Sequence, residues 1–428
     1  MSEVAEKQVE AGAAEAAPRR RFFMDTRPLR HKPYRRLWSS TIVTALGSQL
    51  TAVAVPKQIY DMTGSSVWVG IASMAGLVPL VVFALWGGAI ADTVDRRKML
   101  LFTNSGIALL LLVFWAQAAL SLESIPLLLV LVAVQQALFG MNMPARTASV
   151  ARLVPAAELP AAGALNSTVM QAGQIAGPML AGALIPLLGL PLLYLLDALA
   201  LTAALYAVYR LPSLPPLNGA ARRAGLRDVL DGFRYLATHR LLMVSMAADV
   251  IAMVLGMPRA LFPQLADTAY PGVDENFALG LLYAAVPIGA LLGGLLSGTF
   301  SHIRRHGLMV VLAVCAWGAA IVGFGLSSSI WLAVVFLGLA GVADMVSMVF
   351  RGTILQAAAT DEMRGRMQGV HTMVVAGGPR LADLLHGVAV PVAGASAAVA
   401  GGGVLVIVCM TALALAVPAF LRYRGPAR

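Results

Sequence analysis

The amino-acid sequence predicts an all-α membrane protein with twelve transmembrane helices in two pseudo-symmetric six-helix bundles, and three observations carry that prediction. The 428 residues are 59% hydrophobic and 12% charged, with a mean hydropathy of +0.80, too apolar for a water-soluble globular domain. Apolar stretches long enough to cross about 30 Å of hydrocarbon fall in two sets of six, one before residue 211 and one after residue 239. Landmarks of the first set return in the second at a nearly constant offset, as a duplicated unit requires.

Residues 1–33 are rich in Ala, Glu and Arg, with no apolar core and no small-residue cleavage site. They predict a disordered cytoplasmic tail and no signal peptide. The N-terminal bundle, 34–211, takes spans at 37–60, 66–91, 99–119, 125–145, 163–188 and 190–210. The C-terminal bundle, 239–428, takes 240–262, 277–301, 307–327, 330–351, 367–391 and 396–421 before a short cytoplasmic tail. With both termini in the cytoplasm, all but Lys57, Arg259 and Arg380 of the 31 Lys and Arg fall on that side, the bias of the positive-inside rule. The +10 charge is therefore a topology signal, and it excludes nucleic acid as the partner.

The turn between the second and third helices reads Gly88-Ala-Ile-Ala-Asp92-Thr-Val-Asp95-Arg96-Arg97-Lys98. Gly88 is expected to let two helices approach closely, Asp92 to face a helix N-terminus, and Arg96 and Arg97 to anchor the turn on the cytoplasmic side, the four together forming a conformational latch between the bundles in one state. Residues 212–238 are the one long connection. After Pro212, Pro215 and Pro216, an apolar stripe of Leu226, Val229, Leu230, Phe233, Leu236 and Ala237 opposes Arg227, Asp228, Asp231 and Arg234, predicting an amphipathic helix on the inner membrane face.

The duplication shows in four pairs. Pro56-Lys57 recurs as Pro258-Arg259, 202 residues later; Gly88 and its basic turn as Gly298 to Arg305, 210 later; Arg146 as Arg351, 205 later; and Gly177-Pro178 with Gly182 as Gly378-Pro379 with Asp383, 201 later.

The Gly-x-x-x-Asp-x-x-x-Arg-Arg spacing from Gly88 to Arg97 resembles the signature loop of the major facilitator superfamily, with Thr93 where a basic residue is usual and Asp95 where a glycine is usual. Gly173, Gly177, Pro178 and Gly182 resemble the helix 5 motif that marks exporters of that superfamily, with Ala181 replacing one glycine. The text from Ala137-Leu-Phe-Gly140 through Pro144-Ala-Arg146, Arg152-Leu-Val-Pro155 and Glu158 is similar to the branch that includes enterobactin exporters and macrolide-type efflux proteins. The resemblance implies the major facilitator fold, with helices 1, 4, 7 and 10 around a central cavity.

A charge inside hydrocarbon costs roughly 2.5–3.5 kcal/mol on insertion scales, so intramembrane acids need a reason. Asp249 in helix 7, near the bilayer centre with no basic residue within one turn, is the first proton-coupling candidate and Asp344 in helix 10 the second, since burial favours the protonated carboxyl and lets it ferry a proton; the competing reading is a structural ion pair. Asp197 in helix 6 ranks below them. Gln49, Gln135, Gln136 and Arg351 are the cavity candidates, with Gln171 and Gln174 beside them. Trp38, Trp86, Trp115 and Phe139 are expected stacking surfaces for an aromatic ligand, and Met243, Met246, Met253 and Met257 an adaptable wall.

No phosphate loop, catalytic constellation or metal-ligand spacing occurs, so the reading is a secondary transporter with no cofactor and no metal, not an enzyme. The expected partners are the lipid bilayer, protons and a small amphipathic substrate such as a drug or secondary metabolite, exported from the cytoplasm by a monomer in the plasma membrane. A dedicated siderophore exporter is the alternative within that class, and a receptor or scaffold without transport the alternative outside it.

Overall fold

The computed structural model describes residues 25–425 apart from 92, 216–230, 232, 233, 301, 359 and 360. Every regular element among them is helical. In the first half, α1 is Lys32–Thr63, α2 Ser66–Ala91, α3 Arg96–Ala119 and α4 Ile125–Leu153. The run Leu159–Tyr209 breaks at Gly189 into α5 (159–188) and α6 (190–209). In the second half, α7 is Arg240–Leu255, α8 Glu275–Leu295, α9 His306–Gly325, α10 Ile330–Ala358, α11 Asp361–Ala393 and α12 Ala395–Ala416.

Local sequence sets these boundaries. Gly64 (φ 61) ends α1 in the left-handed region, and its N–H caps the Tyr60 carbonyl. Ser124 and Asp274 accept from the first-turn amides of α4 and α8, satisfying donors that a helix leaves open. Gly189 (φ 73, ψ 166) and Gly394 (φ 82, ψ 160) turn the chain between α5 and α6 and between α11 and α12 with the same backbone; only glycine takes that conformation readily.

The seventh span departs from expectation. A continuous helix over 240–262 is predicted, but α7 stops at Leu255, a 3-10 turn covers Arg259–Leu261, and helix resumes at Phe262–Thr268. Gly256 and Pro258 explain the break, since proline lacks the N–H and its ring displaces the preceding turn. The indole of Trp317 on α9 donates to the freed Gly256 carbonyl at 3.1 Å.

Among the described residues nine helical runs are long and apolar enough to cross a membrane, the one at Ala156–Tyr209 being a double run. The two remaining expected spans, α1 and α11, are helices of 32 and 33 residues. Their polar side chains face inward, as described below, and that is why hydropathy alone passes them over.

The halves pack alike. In the first, α2 lies on α4, α3 on α4, and α1 on α5 and α6; in the second, α8 lies on α10, α9 on α10 and α12, and α11 on α7. They meet through α2 on α11 and α5 on α8. Small residues make these contacts close: a β-carbon at Gly70 would lie 2.6 Å from the Asp383 carbonyl oxygen, and one at Gly182 would lie 2.5 Å from that of Asn276.

Candidate functional site

Between the halves lies a cavity of about 790 Å3. One face of α1 supplies Thr41, Thr44 and Ser48, three or four residues apart as a helix stripe requires, with Gln49 next to Ser48. From α4 come Gln135, Gln136, Phe139 and Arg146; the second half adds Arg259, Tyr283, Arg380 and Asp383. A second cavity of about 670 Å3 adjoins it, lined by Asn166, Gln171 and Gln174 of the first half and by Met257, Phe262, Trp317, Asp344 and Met348 of the second. Asn166, Met170, Arg259 and Tyr283 belong to both.

The main cavity runs toward the end of the molecule where α4 and α5 meet, with Arg146, Val150 and Leu159 in its walls. At the opposite end the halves are joined. Lys57, buried on α1, reaches Asp61 at 2.5 Å and crosses to Glu275 of α8 at 3.2 Å. Tyr60 donates to Asp267 at 3.2 Å and Ser66 to Gln264 at 2.7 Å, both across the halves. Deeper, Ser73 of α2 donates to Asp383 at 2.6 Å, and Arg380 donates to Gln136 at 2.8 Å.

The predicted residues divide on this map. Gln49, Gln135 and Gln136 are in the cavity wall, and of Trp38, Trp86, Trp115 and Phe139 only Phe139 is. Asp249 and Arg351 are not. Asp249 is 1% exposed and faces the interior of the second half, where Arg351 of α10 forms an ion pair with it and His371 of α11 stands 3.5 Å away. Arg351, 7% exposed, also lies 3.7 Å from Asp344, and this third member reaches the second cavity. Arg351 is thus the centre of a buried charge cluster and no cavity-wall residue. An acid with no basic residue within one turn on its own helix is thus met by partners from two other helices.

Gly173 and Gly177 pack on Ala45 and Gln49 of α1; Pro178 and Gly182 approach Gly280 of α8, so the helix 5 motif binds one neighbour in each half. Gly88 has open space around it, contrary to the close contact expected. Gly87 makes it instead, with a would-be β-carbon 2.7 Å from Met141 Cα. Asp92 lies outside the described residues, as does most of the 212–238 connection. Asp95 caps α3 through the Arg97 amide and accepts from Ser213 at 2.5 Å and the Leu214 amide at 3.1 Å. Burial would raise its carboxyl, but these hydrogen bonds and Lys98 outweigh that and hold it below the ordinary value. Arg97 donates to the Tyr209 carbonyl at 2.6 Å, and the Arg96 amide to that of Leu214 at 3.1 Å, so this turn clamps the end of α6 and the start of the connection.

Sequence reading passed over Asp383, Arg380 and Tyr283. Asp383 gave a signal: it is an acid within a membrane span, three residues after a cation. Its carboxylate accepts from Ser73 and from the Ala260 amide at 3.0 Å, tying α2 and the broken seventh span to α11. Asp197, ranked low, lines the cavity and accepts from Thr51 at 2.6 Å.

A family profile described as transmembrane secretion effector matches residues 25–422. The enterobactin exporter EntS of Shigella boydii serotype 18 (strain CDC 3083-94 / BS512) is 32% identical over 391 residues, covering 90% of this chain and 92% of that one. EntS of Escherichia coli O139:H28 (strain E24377A / ETEC) is 31% identical with the same coverage. Among solved structures, the nucleoside transporter NupG superposes with a TM-score of 0.73 at 14% identity, covering 91% of this chain and 99% of that one. A bacterial homologue of the human lysosomal transporter Spinster gives 0.68 at 15%, with 93% and 97% covered.

Proposed function

Because the chain belongs to the transmembrane secretion effector family of major facilitator transporters, we propose that it is a proton-coupled exporter of a small amphipathic molecule in the plasma membrane. Its two bundles, 34–211 and 239–428, rock about the cavity, with the 212–238 connection and both termini in the cytoplasm. The observation that carries this reading is the cavity itself: about 790 Å3 of mixed polar and apolar wall between the halves, clasped at the end away from the basic turns. In the orientation the Lys and Arg bias favours, that cavity faces the cytoplasm and receives cargo there.

Proton coupling runs through the Asp249, Arg351 and Asp344 cluster. Asp344 reaches the second cavity, whereas Asp249 is enclosed with Arg351 and His371. Asp344 is therefore the acid that exchanges protons. Arg351 is the shared counter-ion, drawn fully to Asp249 when Asp344 is protonated. A dedicated siderophore exporter is the second reading, favoured by the relatives named as enterobactin exporters.

Inverted vesicles with an imposed acid-inside pH gradient test both. Gradient-dependent uptake of erythromycin and enterobactin supports the broad exporter, and uptake of enterobactin alone the dedicated one. Facilitated equilibration that ignores the gradient would remove proton coupling. No uptake beyond that of vesicles lacking the protein, for either compound, would count against export of these two classes.

A further inference from the structure

Arg259 occupies an unusual position. It follows the break in the seventh span, belongs to the walls of both cavities, and is exposed although it lies between the two halves. Its guanidinium stands 5.7 Å from the centre of the Tyr283 ring, and among the described residues it has no hydrogen-bond or ion-pair partner. Five N–H donors in a cavity without an acceptor are chemistry left open for a ligand.

The neighbouring acids do not fill that role. Asp383 is in the field of Arg259 and Arg380, but its two oxygens are taken up by Ser73 and the Ala260 amide. Asp197 accepts from Thr51, at the α1–α6 contact. Arg380 donates to the Ala376 carbonyl and to Gln136, and Arg146 to Thr41. The acids of the main cavity are thus met by neutral donors, Asp344 of the second cavity is paired with Arg351, and the guanidiniums of Arg146, Arg259 and Arg380 meet neutral acceptors or none.

The two spaces beside Arg259 differ in character. On one side are hydroxyls and amides, including Ser48, Gln49 and Gln136; on the other are Met257, Phe262, Trp317, Ile321 and Met348, with Gln171, Gln174 and Asp344 in the same wall. A ligand with a charged head and an apolar or aromatic body would place the two parts in different compartments. The sign of the head is then set by the residue at the junction.

We propose that Arg259 is the head-group clamp of the cargo site, and that the cargo class is an anionic amphiphile whose acidic group pairs with Arg259 while its apolar body enters the cavity of Met257, Phe262 and Trp317. This deepens the export reading and rests on it for the direction of movement, but binding can be measured without transport. A charge-assisted guanidinium pair is worth roughly tenfold or more in affinity.

The test uses 1-pyrenebutyrate, 1-pyrenebutanol and 1-pyrenebutylammonium, which share one apolar body and differ in head charge. Binding to the purified full-length protein is read by energy transfer from its tryptophans, with empty micelles subtracted. The butyrate should bind roughly tenfold more tightly than the alcohol, and the ammonium more weakly than either. Arg259→Gln should erase the preference for the anion and leave the alcohol within about twofold; Arg259→Lys should restore part of it, which a folding defect would not do. Equal binding of all three, tighter binding of the ammonium, no binding of any, or an equal loss of all three in Arg259→Gln would overturn the proposal. In vesicles, anion selectivity in binding with no export sinks the export reading alone; export of the ammonium in preference to the butyrate sinks the clamp alone.

Discussion

Replacing Asp249 and Asp344 separately with Asn should give opposite signatures, because the two acids share Arg351 but not their surroundings. The Asp249 side chain is 2% exposed and ion-paired to Arg351. Removing one partner of such a buried pair leaves an uncompensated charge and costs about 3–5 kcal/mol. Asp344 is 36% exposed at its side chain and 3.7 Å from Arg351, closer to the exposed pairs worth about 0.2–1 kcal/mol. SDS titration of the purified variants reads the difference. Asp249→Asn should unfold far earlier than wild type and Asp344→Asn nearly with it. Adding Arg351→Gln to Asp249→Asn should recover part of the loss, since the double variant strands less charge. Gradient-driven uptake into inverted vesicles should show the reverse order: lost in Asp344→Asn, and in Asp249→Asn reduced only as far as folded protein is reduced. Asp344→Asn protein that still concentrates cargo against its gradient would refute the assignment of the exchanging acid. Equal stability losses would refute the ranking of the two environments.

Gly177→Leu should abolish transport and lower expression, because a β-carbon there overlaps Gln49, whereas Gly88→Ala, in open space, should be silent in uptake and melting. Glu275→Gln removes one half-exposed arm of the Lys57 clasp and should weaken the closed end by about 0.2–1 kcal/mol; spin labels at Met62 and Ala269 should then show a larger population at long distance, and an unchanged distribution would remove Glu275 from the clasp. Asp95 has a carboxyl held below its ordinary 3.8, so its contribution to stability is present above that value and is lost as pH falls through the folded one. The melting difference between wild type and Asp95→Asn should accordingly be flat at neutral pH and shrink in acid.

The helices were legible because hydropathy and glycine act locally. The α2 limits agree with the predicted 66–91, and the repeated Gly-Pro of helices 5 and 11 fixed the order of the halves before any contact was known. Phase was harder. Gly87 and Gly88 are adjacent in sequence, but 100° apart around a helix, and only packing against Met141 shows which of them is buried. Partnership was harder still: Asp249, Arg351 and His371 come from three helices, so an acid that looks unpaired in one dimension is paired in three. Asp383 takes the place of Gly182 in the repeat, and a glycine in the matching position carries no sign of a carboxylate's partners.

The proposed division of tasks between the halves rests on one repeated pair. Arg146 on α4 and Arg351 on α10 occupy matching positions in the sequence repeat, and each points toward the first helix of its own half. In the first half the residue met there is Thr41, a neutral hydroxyl; in the second it is Asp249, a carboxylate. A guanidinium bonded to a hydroxyl keeps its charge on offer, and Arg146 does so in the wall of the main cavity. A guanidinium shared between two carboxylates is neutralised, but its balance shifts when either takes up a proton. In the reading proposed above, one acid on α7 therefore separates a cargo surface in the first half from a proton site in the second. The two meet at Arg259, which borders both cavities. Placing an acid opposite Arg146, as Thr41→Asp, tests this division: the first half would acquire its own ion pair and lose its free cation. Binding of 1-pyrenebutyrate should weaken while the pH dependence set by Asp344 stays as in wild type. A variant whose anion affinity is unchanged would show that Arg146 contributes no charge to the cargo site.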